Sequence, residues 1–291
     1  MKQSYLFGGI TLFLWSTTAT VTKMLLGSLD SIQIMNVCSL FAAVFLFFLN
    51  LIKGNLKLLK TYTLSDYLQM AGLGTLGMFL YNIFLYTGID SMMASQAFII
   101  NYLWPIMTVV FACLILKERL TRRKAVAIVL SFLGVVIVTT NGKLTGIAGE
   151  QLIGALCCIL AAVSYGAFSV LNKRKHYNNF VSMMVYYSVS FVLSTLYNLW
   201  NHSIYIPQIA QLPGLLWLGI CTSAIAYTFW ALALEKGDTA KLSNLAYITP
   251  FLSLVWTSLL LHEPVTIYSL IGLLVIVSGI LLQMREKAPQ N

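Results

Sequence analysis

Ten runs of mostly apolar residues follow one another along this chain, near residues 5–26, 31–52, 66–88, 93–116, 122–140, 150–172, 180–201, 212–235, 239–262 and 266–284. Each is close to the length, about 20 residues, at which a helix crosses a hydrocarbon core of roughly 30 Å. Hydrocarbon offers no water to a backbone amide, so a run of this kind must satisfy its own hydrogen bonds as a helix. The links between runs are too short to hold a soluble domain. Charged residues are 9% of the chain, against about 25% in a soluble domain. The sequence therefore predicts an all-α integral membrane protein that crosses the bilayer many times. The first run follows Lys2 as a signal peptide would, but it lacks a small-residue cleavage site and reads as a retained first helix.

The net charge of +9 has the sign of a nucleic-acid binder, but its distribution points elsewhere. With ten spans both termini lie on one side. Of the 18 Lys and Arg, all but Lys23 and Lys143 fall on that side, as in the runs KERLTRRK and NKRK. Basic residues concentrate in cytoplasmic loops, so both termini are expected in the cytoplasm, with these runs against anionic lipid and no nucleic-acid partner. Lys23 is expected to snorkel from a helix end. The five cysteines, Cys38, Cys113, Cys157, Cys158 and Cys221, all fall within apolar spans without metal-ligand spacing to histidine. They read as small buried side chains, and neither a metal nor another cofactor is expected.

The two halves of the chain can be superimposed. Pro105 and Pro250, Glu118 and Glu263, and Gly134 and Gly279 are each 145 residues apart, and YLWPIMTVVFACLILKERL lies against YITPFLSLVWTSLLLHEPV. This divides the chain into residues 1–145 and 146–291, two five-helix repeats forming one transmembrane domain. An odd number of helices per repeat inverts the second relative to the first. Such an inverted 5+5 repeat can surround a central cavity and open it alternately to either side.

Each proline removes an amide hydrogen, so Pro105 frees the carbonyl of Asn101 and Pro250 that of Ala246. At 100° per residue, Ala94, Ala97, Phe98, Asn101, Pro105 and Thr108 share a face flanked by Tyr102 and Trp104. Ile99, Leu103, Ile106, Met107 and Val110 lie opposite, suited to lipid or dry packing. The ninth span repeats the division, with Thr239, Ser243, Ala246, Thr249, Pro250 and Ser253 against Ile248, Phe251, Leu252 and Val255. Paired helix kinks with matching polar stripes favour facing walls of one cavity over ordinary packing. Trp15, Tyr81, Asn82, Tyr165, Tyr227 and Trp230 add aromatic and polar groups in mid-span, while Trp200 and Trp217, near helix ends, are expected in the interfacial aromatic belt. No Asp or Glu lies in the middle third of any span, which argues against a cation pump built on an embedded carboxylate.

Ten helices, a five-plus-five inverted repeat and a proline followed by a helix-ending glutamate in each half resemble the drug/metabolite transporter superfamily, EamA-like branch. The run INYLWPIMTVVFA is similar to the aromatic amino acid exporter (YddG-type) subfamily. That resemblance implies export of aromatic and other neutral amino acids across the bacterial inner membrane. It also implies a substrate cavity touched by Trp15, Tyr81, Asn82, Asn101, Tyr102, Trp104 and Tyr165. To these the reading of the residues adds the mid-span Tyr227 and Trp230, Ser243 of the ninth-span stripe, and Tyr247, which matches Tyr102 in the repeat. Related chains often carry Trp at the position of Tyr165. A broader metabolite or drug exporter is the alternative within transport, and a lipid scramblase the alternative outside it. No catalytic motif such as H-E-x-x-H or G-x-S-x-G is present, and an enzyme is not expected. The expected partners are a small-molecule substrate and membrane lipid. The internal repeat allows a functional monomer and leaves room for a dimer.

Overall fold

The structure is a computed structural model and describes residues 2–117, 119–142, 149–236, 246 and 248–284. Among the described residues every regular element is helical. The chain starts with α1 (Lys2–Ser16) and α2 (Thr18–Leu26). Then come α3 (Ser31–Ile52), α4 (Leu64–Ser91), α5 (Ala94–Ile115), α6 (Arg122–Thr140), α7 (Gly149–Lys173), α8 (Asn179–Trp200) and α9 (Ile209–Trp230, continuing to Lys236). Helices α10 (Thr249–Leu261) and α11 (Ile267–Met284) complete the bundle. The seven helices α3 to α9 are each long and apolar enough to cross a membrane. The first expected span is met as two helices divided at Thr17, and part of the ninth lies outside the described residues.

Helix starts follow from local chemistry. Asp30 and Gln33 close a capping box on α3, Thr63 and Asp66 close one on α4, and the Asn178 side chain accepts the first amides of α8. Each satisfies backbone donors that a helix leaves open at its N-terminus. Bulky apolar side chains point outward: Phe48 is 55% exposed, Val129 57% and Leu274 57%. Such a surface and seven helices of membrane-spanning length make the fold that of a multi-pass membrane protein.

Contacts recur at a spacing of 145 residues. Gly134 on α6 lies against the Gly272 carbonyl and Ile276 of α11, and Gly279 on α11 lies against the Ala127 carbonyl and Ser131 of α6. Gly74 on α4 packs against Tyr186 of α8, and Gly219 on α9 against Phe41 of α3. In each pair one contact is the other with both residue numbers moved by 145 and the roles exchanged. Departures from the α-helix recur the same way. A π-helical segment at Thr75–Leu80 falls on the last six residues of another at Trp217–Ile225. Helix resumes at Trp104 in α5 and at Thr249 in α10, with proline in the first turn of both.

The two ends of the bundle differ. One gathers the segments around 53–66 and 173–178, where Tyr177 donates to Asp66 Oδ1 at 3.2 Å and the Asn178 amide to the Tyr62 hydroxyl at 3.2 Å. It carries Lys53, Lys57, Lys60, Lys173, Arg174 and Lys175, and is called the basic end below. The far end is tied by Gln211 Nε2 to Ser28 Oγ at 3.0 Å and by contacts of Lys23 and Glu263. Lys23 therefore does not snorkel to solvent but meets protein carbonyls.

Of the two environments open to the aliphatic face of α5, dry packing is the one found at Ile99, Leu103, Ile106 and Met107, all buried. One further expectation changes. Trp217 does not sit in the interfacial belt; its indole donates to Thr17 Oγ1 at 2.8 Å, across the break between α1 and α2.

The glycine contacts set a stability test. A Cβ at Gly134 would stand 2.7 Å from the Gly272 carbonyl, and one at Gly279 2.8 Å from the Ala127 carbonyl. Because the obstructing atoms are backbone, Gly134→Ala and Gly279→Ala should each destabilise the protein by about 1–3 kcal/mol. Gly9→Ala, which meets open space inside α1, should not lower the thermal unfolding temperature in detergent and should raise stability by up to about 1 kcal/mol through helix propensity.

Candidate functional site

The helical departures converge on the middle of the bundle. In α5, helix stops at Asn101 and resumes at Trp104, leaving Tyr102 and Leu103 as a turn. Tyr102 thereby turns its ring inward, 4% exposed, and its hydroxyl donates to the carbonyl of Ala246. That carbonyl is the one Pro250 leaves without its helical donor. The side chain beside one proline thus repairs the backbone defect made by the other. Trp15, at the end of α1, sends its indole N–H to the Thr222 carbonyl at 3.2 Å, inside the second π-helical segment. Trp256 reaches Ser16 Oγ at 3.0 Å, so the α1–α2 break is fastened by indoles from two sides.

Around these contacts lies a small recess of about 60 Å³ lined by Trp15, Tyr81, Asn82, Asn101, Tyr102, Trp104, Tyr165 and Tyr227 among others. It adjoins a chamber of about 500 Å³ that extends toward the basic end, to Asn172, Asn179 and Trp230. Tyr165, Tyr187, Ser223 and Tyr227 line both spaces and form the partition between them. Tyr165 is its hub, with ring centroids at 4.9 Å from Tyr81, 5.2 Å from Trp104, 5.7 Å from Phe168 and 6.4 Å from Tyr227. Trp15 stacks obliquely on Tyr227 at 5.2 Å and on Trp230 at 5.5 Å. Aromatic pairs at these separations attract beyond their buried area, so the partition closes on itself when nothing else fills it.

Among the described residues that line either space there is no Asp, Glu, Lys, Arg or His. The polar groups are neutral and some lack partners. Asn101 Nδ2 donates to the Tyr81 hydroxyl at 3.2 Å, while Asn101 Oδ1 is buried with no hydrogen bond. The Thr249 hydroxyl, also lining the recess, is equally unpaired. A buried polar group without a partner costs about 1–3 kcal/mol; the Asn101 oxygen can only accept, whereas the Thr249 hydroxyl can accept or donate. Asn82 turns back on its own helix instead, bonding the Met78 carbonyl at 2.6 Å.

Of the residues singled out in the sequence, Trp15, Tyr81, Asn82, Asn101, Tyr102, Trp104, Tyr165 and Tyr227 meet at the recess, and Trp230 faces the neighbouring chamber. Ser243 and Tyr247 lie outside the described residues, as do Glu118 and Thr239. Pro105 and Pro250 occupy the first turns of the resumed helices. Phe98 and Thr249, from the two stripes, and Thr18 also line the recess, whereas sequence reasoning did not select Tyr86, Tyr187, Thr222 or Ser223 for it. The doublet Tyr186–Tyr187, two phenols side by side in an apolar run, was the available signal for one of them.

The link between the two prolines predicts a coupling. Tyr102→Phe should cost about 1–3 kcal/mol of stability by orphaning the Ala246 carbonyl. In a Pro250→Ala background, which returns an amide to position 250, the same change should cost less. Thermal unfolding of the four proteins in a double-mutant cycle measures the difference.

Comparison with known proteins gives a consistent result. A transporter of Clostridium kluyveri whose substrate is uncharacterised is 27% identical over all of this chain and 96% of its own length. Aromatic amino acid exporters named YddG are similar over shorter stretches. The one from Ancylobacter novellus is 26% identical over 61% of this chain and 62% of its own, and that of Salmonella typhimurium 25% over 65% and 66%. A solved structure, 22% identical, matches the fold with a TM-score of 0.71 over 97% of this chain and 96% of that one. The EamA-like transporter family matches residues 2–140 and 152–285, and this chain, with its helix-lined and uncharged central recess, belongs to that family.

Proposed function

We propose that the protein exports amino acids, aromatic or other neutral ones, across the bacterial inner membrane, with both termini in the cytoplasm. The observation that carries this reading is the composition of the recess: tryptophan and tyrosine rings, no charged side chain among its described residues, and buried unpaired polar atoms at Asn101 Oδ1 and Thr249 Oγ1. Rings offer a stacking surface to a flat side chain, and both polar atoms can accept from an ammonium or amide donor. Two similar proteins are named as aromatic amino acid exporters, which supports the same substrate class.

The mechanism is alternating access of two inverted repeats, residues 1–145 and 146–291, with ten membrane spans in all. Support comes from the reciprocal glycine contacts, the matched π-helical segments and the two successive family matches. Pockets that take small molecules measure about 300–1,000 Å³. The chamber, at about 500 Å³, falls in that range, and the recess, at about 60 Å³, does not. In this reading a solute enters from the cytoplasm through the chamber and passes the partition by displacing Tyr165. It occupies the recess as the rings separate, and leaves when the far end opens.

Purified protein in liposomes tests the proposal with tryptophan, phenylalanine, threonine and a cationic drug. Saturable amino acid flux is expected, and saturable flux of the drug with none of any amino acid overturns the reading. Asn101→Ala and Trp104→Ala should each lower flux about three- to tenfold, the effect of losing one hydrogen bond or ring contact of roughly 1 kcal/mol. Membrane insertion should be unchanged in both. Parental flux in both variants would remove these residues from the site.

A further inference from the structure

Two oppositely charged side chains converge on the same hairpin at the far end of the bundle. The ammonium of Lys23, on α2, donates to the carbonyls of Ile89 at 2.6 Å, Asp90 at 2.9 Å and Met92 at 3.0 Å. These carbonyls lie in the last turn of α4 and in the connector that follows, where a helix leaves acceptors unpaired and its dipole is negative. The carboxylate of Glu263, just past the end of α10, takes the other side. Its Oε1 accepts from the Ala94 amide at 2.7 Å, and its Oε2 from the Ser95 amide at 2.9 Å and the Ser95 hydroxyl at 2.6 Å. Ala94 is the first residue of α5, and Met93 before it supplies no side-chain cap. Glu263 therefore acts as an N-cap delivered from another helix, and Lys23 as a C-cap delivered from another.

The hairpin 89–95 is thus held to α2 on one side and to the end of α10 on the other. Below it the recess is walled on this side by Thr18, Tyr86, Phe98 and Thr249, which belong to the elements being tied. Thr22, one helical turn from Thr18 toward the far end, is fully buried, and its hydroxyl lacks a partner. Ile89 and Ala94 are fully buried at the same level. Among the described residues, the far end is packed around Thr22, Ile89 and Ala94, while the chamber reaches toward the basic end.

We propose that Lys23 and Glu263 are positioning residues of the transport cycle, a two-sided latch that holds the 89–95 hairpin shut over the recess and must release for solute to leave at the far end. This rests on the alternating-access reading given above. Neither side chain bonds the other's charge, so neither contact requires the other, and release can proceed in two steps. Lys23 lets go of the end of α4, and Glu263 lets go of the start of α5. The amides and carbonyls freed in this way then meet water at the opened mouth, which limits the cost of release.

Site-directed labelling of the full chain in liposomes tests the latch without any transported solute. The five native cysteines are replaced, and one reporter is introduced, either Thr22→Cys at the far end or Ser169→Cys in the chamber. Each is labelled with a membrane-impermeant maleimide from its own side. Lys23→Met and Glu263→Gln should each speed labelling at Thr22→Cys about tenfold and slow it at Ser169→Cys, because shifting the population toward one open state depletes the other. Lys23→Arg, which keeps donors for the carbonyls, should behave more like the parent. Unchanged labelling at Thr22→Cys in both variants overturns the latch, and so does faster labelling at both reporters, which signals general loosening. If Lys23→Met fails to give monodisperse protein, Glu263→Gln, which keeps the side-chain shape, decides the result alone. Absence of amino acid flux would count against the substrate assignment and leave these rates untouched.

Discussion

The hydroxyl of Tyr102 on the carbonyl of Ala246 is the contact on which the centre of this protein depends. A bilayer protein can interrupt a helix only where something replaces the lost backbone partner. Here the interruption in α5 and the proline of α10 are resolved against each other, so neither helix has its observed shape alone. The turn at Tyr102 and Leu103 turns the phenol inward, and that phenol makes Pro250 tolerable at membrane depth. The rings of Trp104 and Tyr165 then have fixed supports to pack on, and the recess follows from that arrangement.

Much of this was legible in the sequence, for reasons of length and spacing. Apolar runs of bilayer length match α3 to α9 to within a few residues, and the 122–140 run coincides with α6. The matched prolines announced the two defects, and helical periodicity placed Asn101, Tyr102 and Trp104 beside one another. The partners were not legible. Nothing in the sequence ties Tyr102 to Ala246 rather than to a nearer carbonyl, or Trp217 to Thr17, because both contacts join residues far apart in the chain. Lys23 was misread for a related reason. A lysine near a helix end ordinarily reaches solvent, and only the arrival of the 89–95 hairpin offers it carbonyls instead.

The recess also shows how an uncharged site can be kept closed without charge. Its rings fill it, with Tyr165 touching four others, and its unpaired polar atoms lie beneath them. Under the proposed function, a solute would have to replace the ring contacts it displaces, and selectivity would come from matching contacts the protein already makes with itself.

The π-helical segments at Thr75–Leu80 and Trp217–Ile225 carry a consequence of a different kind. Each widens its helix by accommodating an extra residue, which turns everything after it by about 100° relative to an uninterrupted α-helix. Tyr81, Asn82 and Tyr86 follow the first segment, and Tyr227 and Trp230 follow the second. Their aim into the protein interior is therefore set by how many residues the segment contains rather than by which ones. Losing the codon of a non-aromatic residue there, such as Leu76 or Leu218, would rotate the aromatic wall that follows while leaving every ring in the sequence. In this architecture, reading-frame-preserving changes of length are a control over the cavity that no catalogue of point substitutions would reveal.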